Sequence, residues 1–261
     1  MDSKSILKMK SNLSGFKSLL TFCSLTILIT PHWQSRAIAQ ENSNSAYTTP
    51  SKVTFNPPAG DKPKTSLAGA SRSIGQCINQ AENSNLPLAP LLPASAQGLT
   101  VASHPTVLAY LPQTSAKQVL FSWRDENNND HYQTILPIDN QGGVISLTLP
   151  EDAPPLEVGK NYQWALAIMC DGRLQPDSPM IQGQIRRVAL EATLSDRLKN
   201  ANLLESAAIY GEAGIWYETV ATLAKLKTAQ PGDQNLASNW QDLLTSVGLE
   251  KISQVPNITD K

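Results

Sequence analysis

Short apolar segments separated by turn residues dominate the middle of this chain of 261 residues. Pro105 and Pro112 bracket one such segment, and the polar tract 125–130 separates two others. Alternation of apolar and polar residues is typical of a strand with one buried face, and a continuous apolar run suits a fully buried strand. The pattern predicts six or seven strands, with segments at 106–111, 119–124, 132–136, 144–149, 161–170 and 180–190. We therefore expect residues 76–190 to form an antiparallel β-sandwich of the immunoglobulin or fibronectin type.

One tyrosine supports the sandwich interpretation. Leu156 and Gly159 come shortly before Tyr162, which opens the longest predicted strand. In immunoglobulin-like sandwiches this arrangement forms a tyrosine corner, in which the phenol bonds to the preceding backbone. An ordinary strand that begins with tyrosine is the alternative. In both cases Tyr162 and Trp164 share one face of the strand, so we interpret both as structural core residues.

The period of the apolar residues changes in the region 191–261, which is predicted to be helical. Thr193 and Asp196 suggest a capping box, and apolar residues then recur at helical spacing through about three helices. Trp216 and Trp240 lie on the apolar faces of the second and third helices and are interpreted as structural. The spacing resembles one tetratricopeptide repeat and part of another, because Leu203, Ala207, Tyr210, Gly214, Trp216, Leu223, Leu226 and Pro231 match that motif. An unrelated packing unit of three helices is the alternative.

The N-terminus has the three parts of a secretory signal peptide. A lysine-bearing start precedes an apolar stretch at 19–30, and Ala37-Ile38-Ala39 supplies the small-x-small pattern of a cleavage site. We expect residues 1–39 to be removed between Ala39 and Gln40, and the protein to be exported to the periplasm or the extracellular space. An uncleaved anchor is the alternative, although the stretch is short for a hydrocarbon core of about 30 Å. Residues 40–75 are rich in Pro, Ser and Asn and are predicted to be a disordered linker.

Two cysteines, Cys77 and Cys170, would remain in the mature chain once Cys23 leaves with the signal peptide. Paired cysteines in an oxidising compartment favour a disulfide, and two independent buried thiols are the alternative. Neither cysteine has a neighbouring His or a C-x-x-C partner, so a zinc or catalytic role is not expected.

Candidate catalytic chemistry is sparse in the sequence. His104 precedes a strand and is interpreted as structural, and His131 is interpreted as part of a solvated turn. The turn with Asp125, Asn127 and Asn129 fails as a calcium loop, because Asp130 replaces the glycine and Leu136 the bidentate glutamate. Arg186 and Arg187 are interpreted as structural strand residues. No cofactor, metal or catalytic residue is therefore predicted.

Taken in order, several segments resemble an exported family found mainly in cyanobacteria and known as domain of unknown function 928. The residues that carry the resemblance lie at 98–100, 104–106, 110–112, 124–127, 132–134, 143–147, 149–150, 155–162, Trp164, Cys170, 213–217, 223–224 and 240–244. The resemblance implies export and this architecture. It implies no activity, so it supplies no catalytic residues.

The functional expectation rests on the net charge of the chain and on the absence of recognisable catalytic motifs in the sequence. The first 39 residues hold five basic residues and one acidic residue, so the remainder has a net charge of −5 and is poorly suited to nucleic acid. We expect a non-enzymatic interaction or adapter module with a protein partner in the cell envelope and no membrane span after signal removal. Its oligomeric state is left open. A carbohydrate- or surface-polymer-binding module, using exposed aromatics such as Trp123 or Tyr132, is the first alternative, and a hydrolase with an unfamiliar site is the second.

Overall fold

The computed structural model describes residues 52–58, 77–78 and 86–255, together with the backbone of 258–260. The described residues belong to one compact unit, Thr48–Lys261. The predicted signal peptide with its cleavage site at Ala39 and Gln40 lies outside the described residues, as does most of the predicted linker.

Nine strands in the described part of the chain form two sheets. One sheet has four strands in the order β1-β3-β6-β9, and the other has five in the order β2-β8-β7-β4-β5. The strands are β1 (Ala89–Pro90), β2 (Gln97–Thr100), β3 (Thr106–Leu111), β4 (Gln118–Asp125), β5 (Asp130–Pro137), β6 (Gly143–Thr148), β7 (Asn161–Ile168), β8 (Met180–Arg187) and β9 (Ile258–Asp260). The prediction of a mostly β chain with a helical C-terminal region is confirmed.

The pairing within the sheets corrects the expectation of an antiparallel sandwich. Five strand pairs are antiparallel, but β2 runs parallel to β8 and β9 runs parallel to β6. Both exceptions are short strands at the edge of a sheet. Each is connected through a long stretch of chain to its partner, and a parallel pair requires such a connection because a tight hairpin cannot join it.

The two sheets differ in how many faces they bury. In β3 and β6 nearly all residues are buried, so both faces of the four-stranded sheet are covered. In β4, β7 and β8 burial alternates, and only the face with Phe121, Trp123, Trp164 and Ile185 is fully buried. Residues of both sheets and of the helices share one hydrophobic core.

Five helices, rather than about three, lie between β8 and β9 in the described part of the chain. They are α1 (Ala192–Lys199), α2 (Leu203–Glu212), α3 (Trp216–Ala229), α4 (Gln234–Ser246) and α5 (Glu250–Ser253). The predicted capping box at Thr193 and Asp196 is wrong, because Thr193 already lies inside α1. The capping box is formed instead by Asn202 and Glu205 at the start of α2, where the chain breaks between two helices that the apolar spacing had merged. No helix in the described residues has the length and apolar character needed to cross a membrane.

The third helix connects the helical region to both sheets. The Trp216 indole N–H donates to the carbonyl of Leu91, next to β1, at 2.8 Å. The Trp164 indole N–H donates to the Tyr217 hydroxyl, which donates in turn to the Gln184 carbonyl of β8, each at 2.9 Å. Trp216 and Tyr217 are almost completely buried. Because buried polar groups need partners, these bonds fix how α3 covers the sheets.

Residues 52–58, which we call the strap, lie within the range predicted as a linker but are packed. Val53 is 1% exposed, and Phe55 lies edge-on to Trp216 with ring centroids 4.9 Å apart. The strap is extended without being a strand of either sheet. The strap contacts the helices through two apolar side chains at alternate positions, Val53 and Phe55.

The predicted disulfide between Cys77 and Cys170 is present, with Cα atoms 5.6 Å apart. Cys170 follows β7, and the carbonyl of Cys77 accepts a bond of 2.9 Å from the Ser115 amide in the connection between the sheets. Closing a loop of this length, with a sequence separation of 93, contributes about 4–5 kcal/mol in the chain-entropy model.

Candidate functional site

The outward side of the five-stranded sheet carries the candidate site. Val119, Phe121 and Trp123 of β4 point into the core, so the intervening residues point outward, and β7 and β8 follow the same rule. The strand register arranges these outward residues in three rows that cross the strands. We call the three rows together the outer face.

The first row is amide-rich. Gln97, Gln184, Gln163 and Arg124 lie side by side on β2, β8, β7 and β4. Arg124 bonds through Nε to the Asp130 carboxylate at 3.2 Å and through Nη1 to Asn128 at 3.2 Å. The row therefore ends in a guanidinium that neighbouring side chains hold in place.

The second row has small side chains at its centre. Ala165 and Ser122 occupy its centre on β7 and β4, with Gln182 and Gln133 at its two ends. The Gln163 amide donates to the Gln182 side-chain oxygen at 2.5 Å, which links the first two rows. Small central side chains between longer ones leave a shallow trough across the strands.

The third row is aliphatic. Met180, Ala167, Leu120 and Ile135 follow one another across β8, β7, β4 and β5. Met180 and Ile135, at the two ends of this row, are 45% and 49% exposed, whereas Ala167 between them is buried. The outer face thus passes from amide groups and a guanidinium at one end to aliphatic groups at the other.

A small depression opens at the β2 side of the outer face. It has a cavity volume of about 80 Å³ and is lined by Ser95, Ala96, Gln97, Gln163, Gln182, Gly183 and Gln184. Its rim is stiffened by Ala96, which has a positive φ of 56° and accepts the Gln184 amide at 3.0 Å. The depression offers amide donors and acceptors to a ligand.

The charges of the outer face are distinctive. Arg124 is the one charged residue among the twelve, and Asp130 of β5, in register with it, borders the face as its ion-pair partner. Interfaces between proteins are depleted in Lys, Glu, Asp, Ser and Ala and enriched in aromatic residues, Met and Arg. Met180, Arg124 and the lack of Lys and Glu fit that pattern, whereas the three Ser and Ala residues of the face do not.

A buried carboxylate lies elsewhere, where α3 meets the segment after β2. One oxygen of Glu218 accepts bonds from the Thr100 hydroxyl at 2.6 Å and from the amides of Val101 and Ala102 at 3.0 Å. Its second oxygen has no hydrogen-bond partner among the described residues. Burial raises the pKa of Glu218 above its usual value, against the effect of those hydrogen bonds. Burial likewise raises the pKa of Tyr217. We interpret Glu218 as a structural tie between helix and sheet.

The residues with possible chemistry are not brought together. The His104 ring donates through Nε2 to the Ala153 carbonyl at 3.1 Å, and the His131 ring through Nε2 to the Pro154 carbonyl at 2.8 Å. Within the described ranges, no group of three or more His, Cys, Asp or Glu side chains is placed to hold a metal ion. The Asn129 side chain and the nearby backbone amides lower the pKa of Asp125 by hydrogen bonding within its own turn.

The remaining predicted residues have structural surroundings. The Tyr162 hydroxyl accepts the Glu157 amide at 3.1 Å, which is the bond that a tyrosine corner requires. Trp164, Trp216 and Trp240 are each 0% exposed. Arg186 points outward, whereas Arg187 turns back and donates to the carbonyls of Val101 and Leu156.

Trp123 does not have the exposure that the carbohydrate alternative needed. It is 0% exposed on the inner face of β4, and Tyr132 pairs with it on the same face, partly buried against the core. Neither ring can therefore serve as an open stacking platform on the outer face. The amides of the first two rows were missed by the sequence interpretation, although their recurrence at every second position of β7 and β8 was the available signal.

Comparison with known families covers most of the described fold. A model of the family described as Domain of Unknown Function (DUF928) matches residues 67–257. The chain belongs to this family. The DUF928 match covers both sheets from β1 to β8 and the helices α1 to α5, whereas the strap precedes it. No curated protein and no solved structure matches the chain.

Proposed function

We propose that this DUF928 protein is an exported, non-catalytic interaction module that binds a protein partner through its outer face. The observation that carries the proposal is the composition of that face, which is aliphatic at one end and amide-rich at the other, with Arg124 and its partner Asp130 at its border. A flat sheet face with these groups suits a protein surface that offers an apolar strip beside amide or carboxylate groups. The partner's carboxylates would lie near Arg124.

Export is part of the proposal and is supported by the N-terminal sequence and by the disulfide. A bond between Cys77 and Cys170 is stable in an oxidising compartment. The mature protein should begin at Gln40, and mass spectrometry of the native, non-reduced protein checks this. A mature chain that still begins with Met1 contradicts cleavage.

The finer fold likenesses also belong to the proposal. The hydrogen bond between Glu157 and Tyr162 supports an immunoglobulin-like relationship for the sheets. The succession of α2, α3 and α4, with Gly214 in the short connection between the first two, supports a tetratricopeptide-like helical unit.

The test places a charge in the centre of the trough. Ala165→Arg should prevent close contact with the partner, while Ala229→Arg adds the same side chain at an exposed site on α3, outside the outer face. A photo-crosslinker at position 182 in the full-length protein should give one defined product in the cell envelope. That product should persist in Ala229→Arg and fall about tenfold or more in Ala165→Arg, because a buried unpaired charge opposes association.

The control is the fold of both variants, checked by circular dichroism and thermal unfolding. Equal crosslinking in the two folded variants would contradict a partner site on the outer face. A crosslinker moved to position 229 should give no such product.

A surface polymer is the second candidate ligand, and the amide-lined depression favours it. Glutamine side chains can bond to the hydroxyl groups of a polysaccharide. A glycan array that shows binding by the wild type and a loss of binding in Gln182→Ala would support this function over the first. An array with no binding would remove it.

A further inference from the structure

The strap lies along the helical region and is held there by contacts of Lys52, Val53, Phe55 and Asn56. The Val53 amide donates to the side-chain oxygen of Asn239 on α4 at 2.7 Å. The Lys52 ammonium lies 3.3 Å from the Asp242 carboxylate of the same helix. At the other end, the Asn56 amide donates to the Gly211 carbonyl of α2 at 3.0 Å.

Alternate side chains of the strap enter the helical surface. Val53 is 1% exposed, and Phe55 packs edge-on against Trp216, whereas Thr54 and Asn56 are exposed. The strap therefore presents a two-residue period, with its apolar side chains on one side.

Two glycines let the main chain of the strap come close. A Cβ atom on Gly211 would lie 2.0 Å from the Thr54 carbonyl oxygen, and one on Gly214 would lie 2.8 Å from the Asn56 carbonyl oxygen. Neither distance is possible for a real side chain. The floor of the groove between α2, α3 and α4 thus admits a peptide backbone because it has no side chain at these positions.

Main-chain hydrogen bonds combined with pockets for alternate side chains are the means by which proteins recognise extended peptides. The walls of the groove, α2 to α4, lie inside the residues that match the DUF928 model, and the strap lies outside them. The groove is thus part of the family domain, and its present occupant is not.

We propose that this groove is a peptide-binding site that takes an extended segment of a partner protein in place of the strap. The strap defines the chemistry of the ligand, which carries a cation for Asp242, then an aliphatic residue, a polar residue, an aromatic residue and Asn. This site is separate from the outer face and does not depend on the function proposed for it. Eighteen residues separate Pro58 from Cys77, so the strap competes as a tethered ligand at a high effective concentration.

The first experiment uses the full-length chain with Val53→Ser and Phe55→Ser, which we call the strap-weakened variant. A fluorescent peptide of residues 50–60 is the probe. It should bind this variant with a Kd below about 1 mM, and bind the wild type about tenfold or more weakly, because the tethered strap occupies the groove. A peptide that carries the same two serines should not bind.

Two further substitutions in the strap-weakened variant locate the site. Gly211→Val should abolish peptide binding, because its side chain would fill the position of the Thr54 carbonyl. Asp242→Asn should weaken binding only about twofold to fivefold, because exposed ion pairs contribute little. Equal binding to the wild type and all variants would overturn the proposal. If Asp242→Asn abolished peptide binding while Gly211→Val left it unchanged, the peptide would bind outside the groove, and the proposal would also be contradicted.

The second experiment needs no variant and covers the case in which the strap-weakened chain does not fold. Excess unlabelled peptide is added to the wild type, and hydrogen–deuterium exchange of the amides of Val53 and Asn56 is followed by mass spectrometry. Displacement should increase their exchange, because both amides are hydrogen-bonded in the groove. Unchanged exchange at about 1 mM peptide would show that the strap is a permanent part of the fold and would overturn the proposal.

Discussion

The two sheets of this protein bury different numbers of faces. In β3 the residues from Val107 to Leu111 are all buried, whereas in β7 Trp164 is buried and its neighbour Gln163 is only partly covered. The four-stranded sheet is therefore covered on both faces, whereas the five-stranded sheet leaves one face open to solvent. The comparison shows that a strand's period indicates how many of its faces are covered.

Alanine substitutions at two adjacent residues of β7 should give the largest difference in the free energy of unfolding. Trp164→Ala should lower the free energy of unfolding by about 3–5 kcal/mol, because it leaves a cavity and removes the bond to Tyr217. Gln163→Ala, one residue earlier on the outer face, should change it by no more than about 0.5 kcal/mol. Urea unfolding followed by circular dichroism measures both. Similar losses in the two variants would contradict an open outer face.

Opposite faces of β3 should instead behave alike. Leu108 and Leu111 are three residues apart, so they point to opposite sides of the strand, and both are nearly inaccessible. Each change to alanine should lower the free energy of unfolding by about 2–5 kcal/mol in the same urea experiment. If one of the two proved neutral, the four-stranded sheet would have an uncovered face after all.

The smallest expected effect is a pH dependence of the free energy of unfolding that arises from Glu218. This residue of α3 accepts hydrogen bonds from the segment after β2. Burial raises the pKa of Glu218 in the folded state, so just above the usual glutamate pKa of 4.5 the folded chain holds a proton that the unfolded chain has released. The wild type should therefore lose stability relative to Glu218→Gln as the pH rises through this window. Urea unfolding at several pH values from 4 to 7 tests the sign. A difference that grows in favour of the wild type with rising pH would contradict it.

The sequence predicted much of the fold because many of its signals are local. Pro105 and Pro112 mark the ends of β3, and the alternation in β4 and β7 identifies their buried residues. By contrast, β2 has only four residues and pairs with β8 from a distance of more than eighty positions, so no local pattern could place it. The break at Asn202 between α1 and α2 was hidden by apolar spacing that continued across it.

The candidate sites were less predictable for the same physical reason. Each row of the outer face joins residues from four strands, and their neighbours are set by strand register rather than by sequence spacing. The strap has only two apolar side chains in a segment otherwise rich in Pro, Ser and Asn, and its contacts with the helices give Val53 a buried position. Trp123 belonged to an alternating strand that fixed its face relative to Phe121, but the sequence did not show which face was inside.

The hydrogen bond from Trp164 to Tyr217 joins residues 53 positions apart and has a consequence for the order of events during synthesis. When synthesis has reached only β8, the indole N–H of Trp164 still lacks its acceptor, the Tyr217 hydroxyl. The acceptor arrives with α3, and Trp240 follows on α4. Final closure of the interior therefore waits for the last quarter of the polypeptide, so a chain cut short by premature termination is left with an exposed apolar surface that proteases and chaperones recognise.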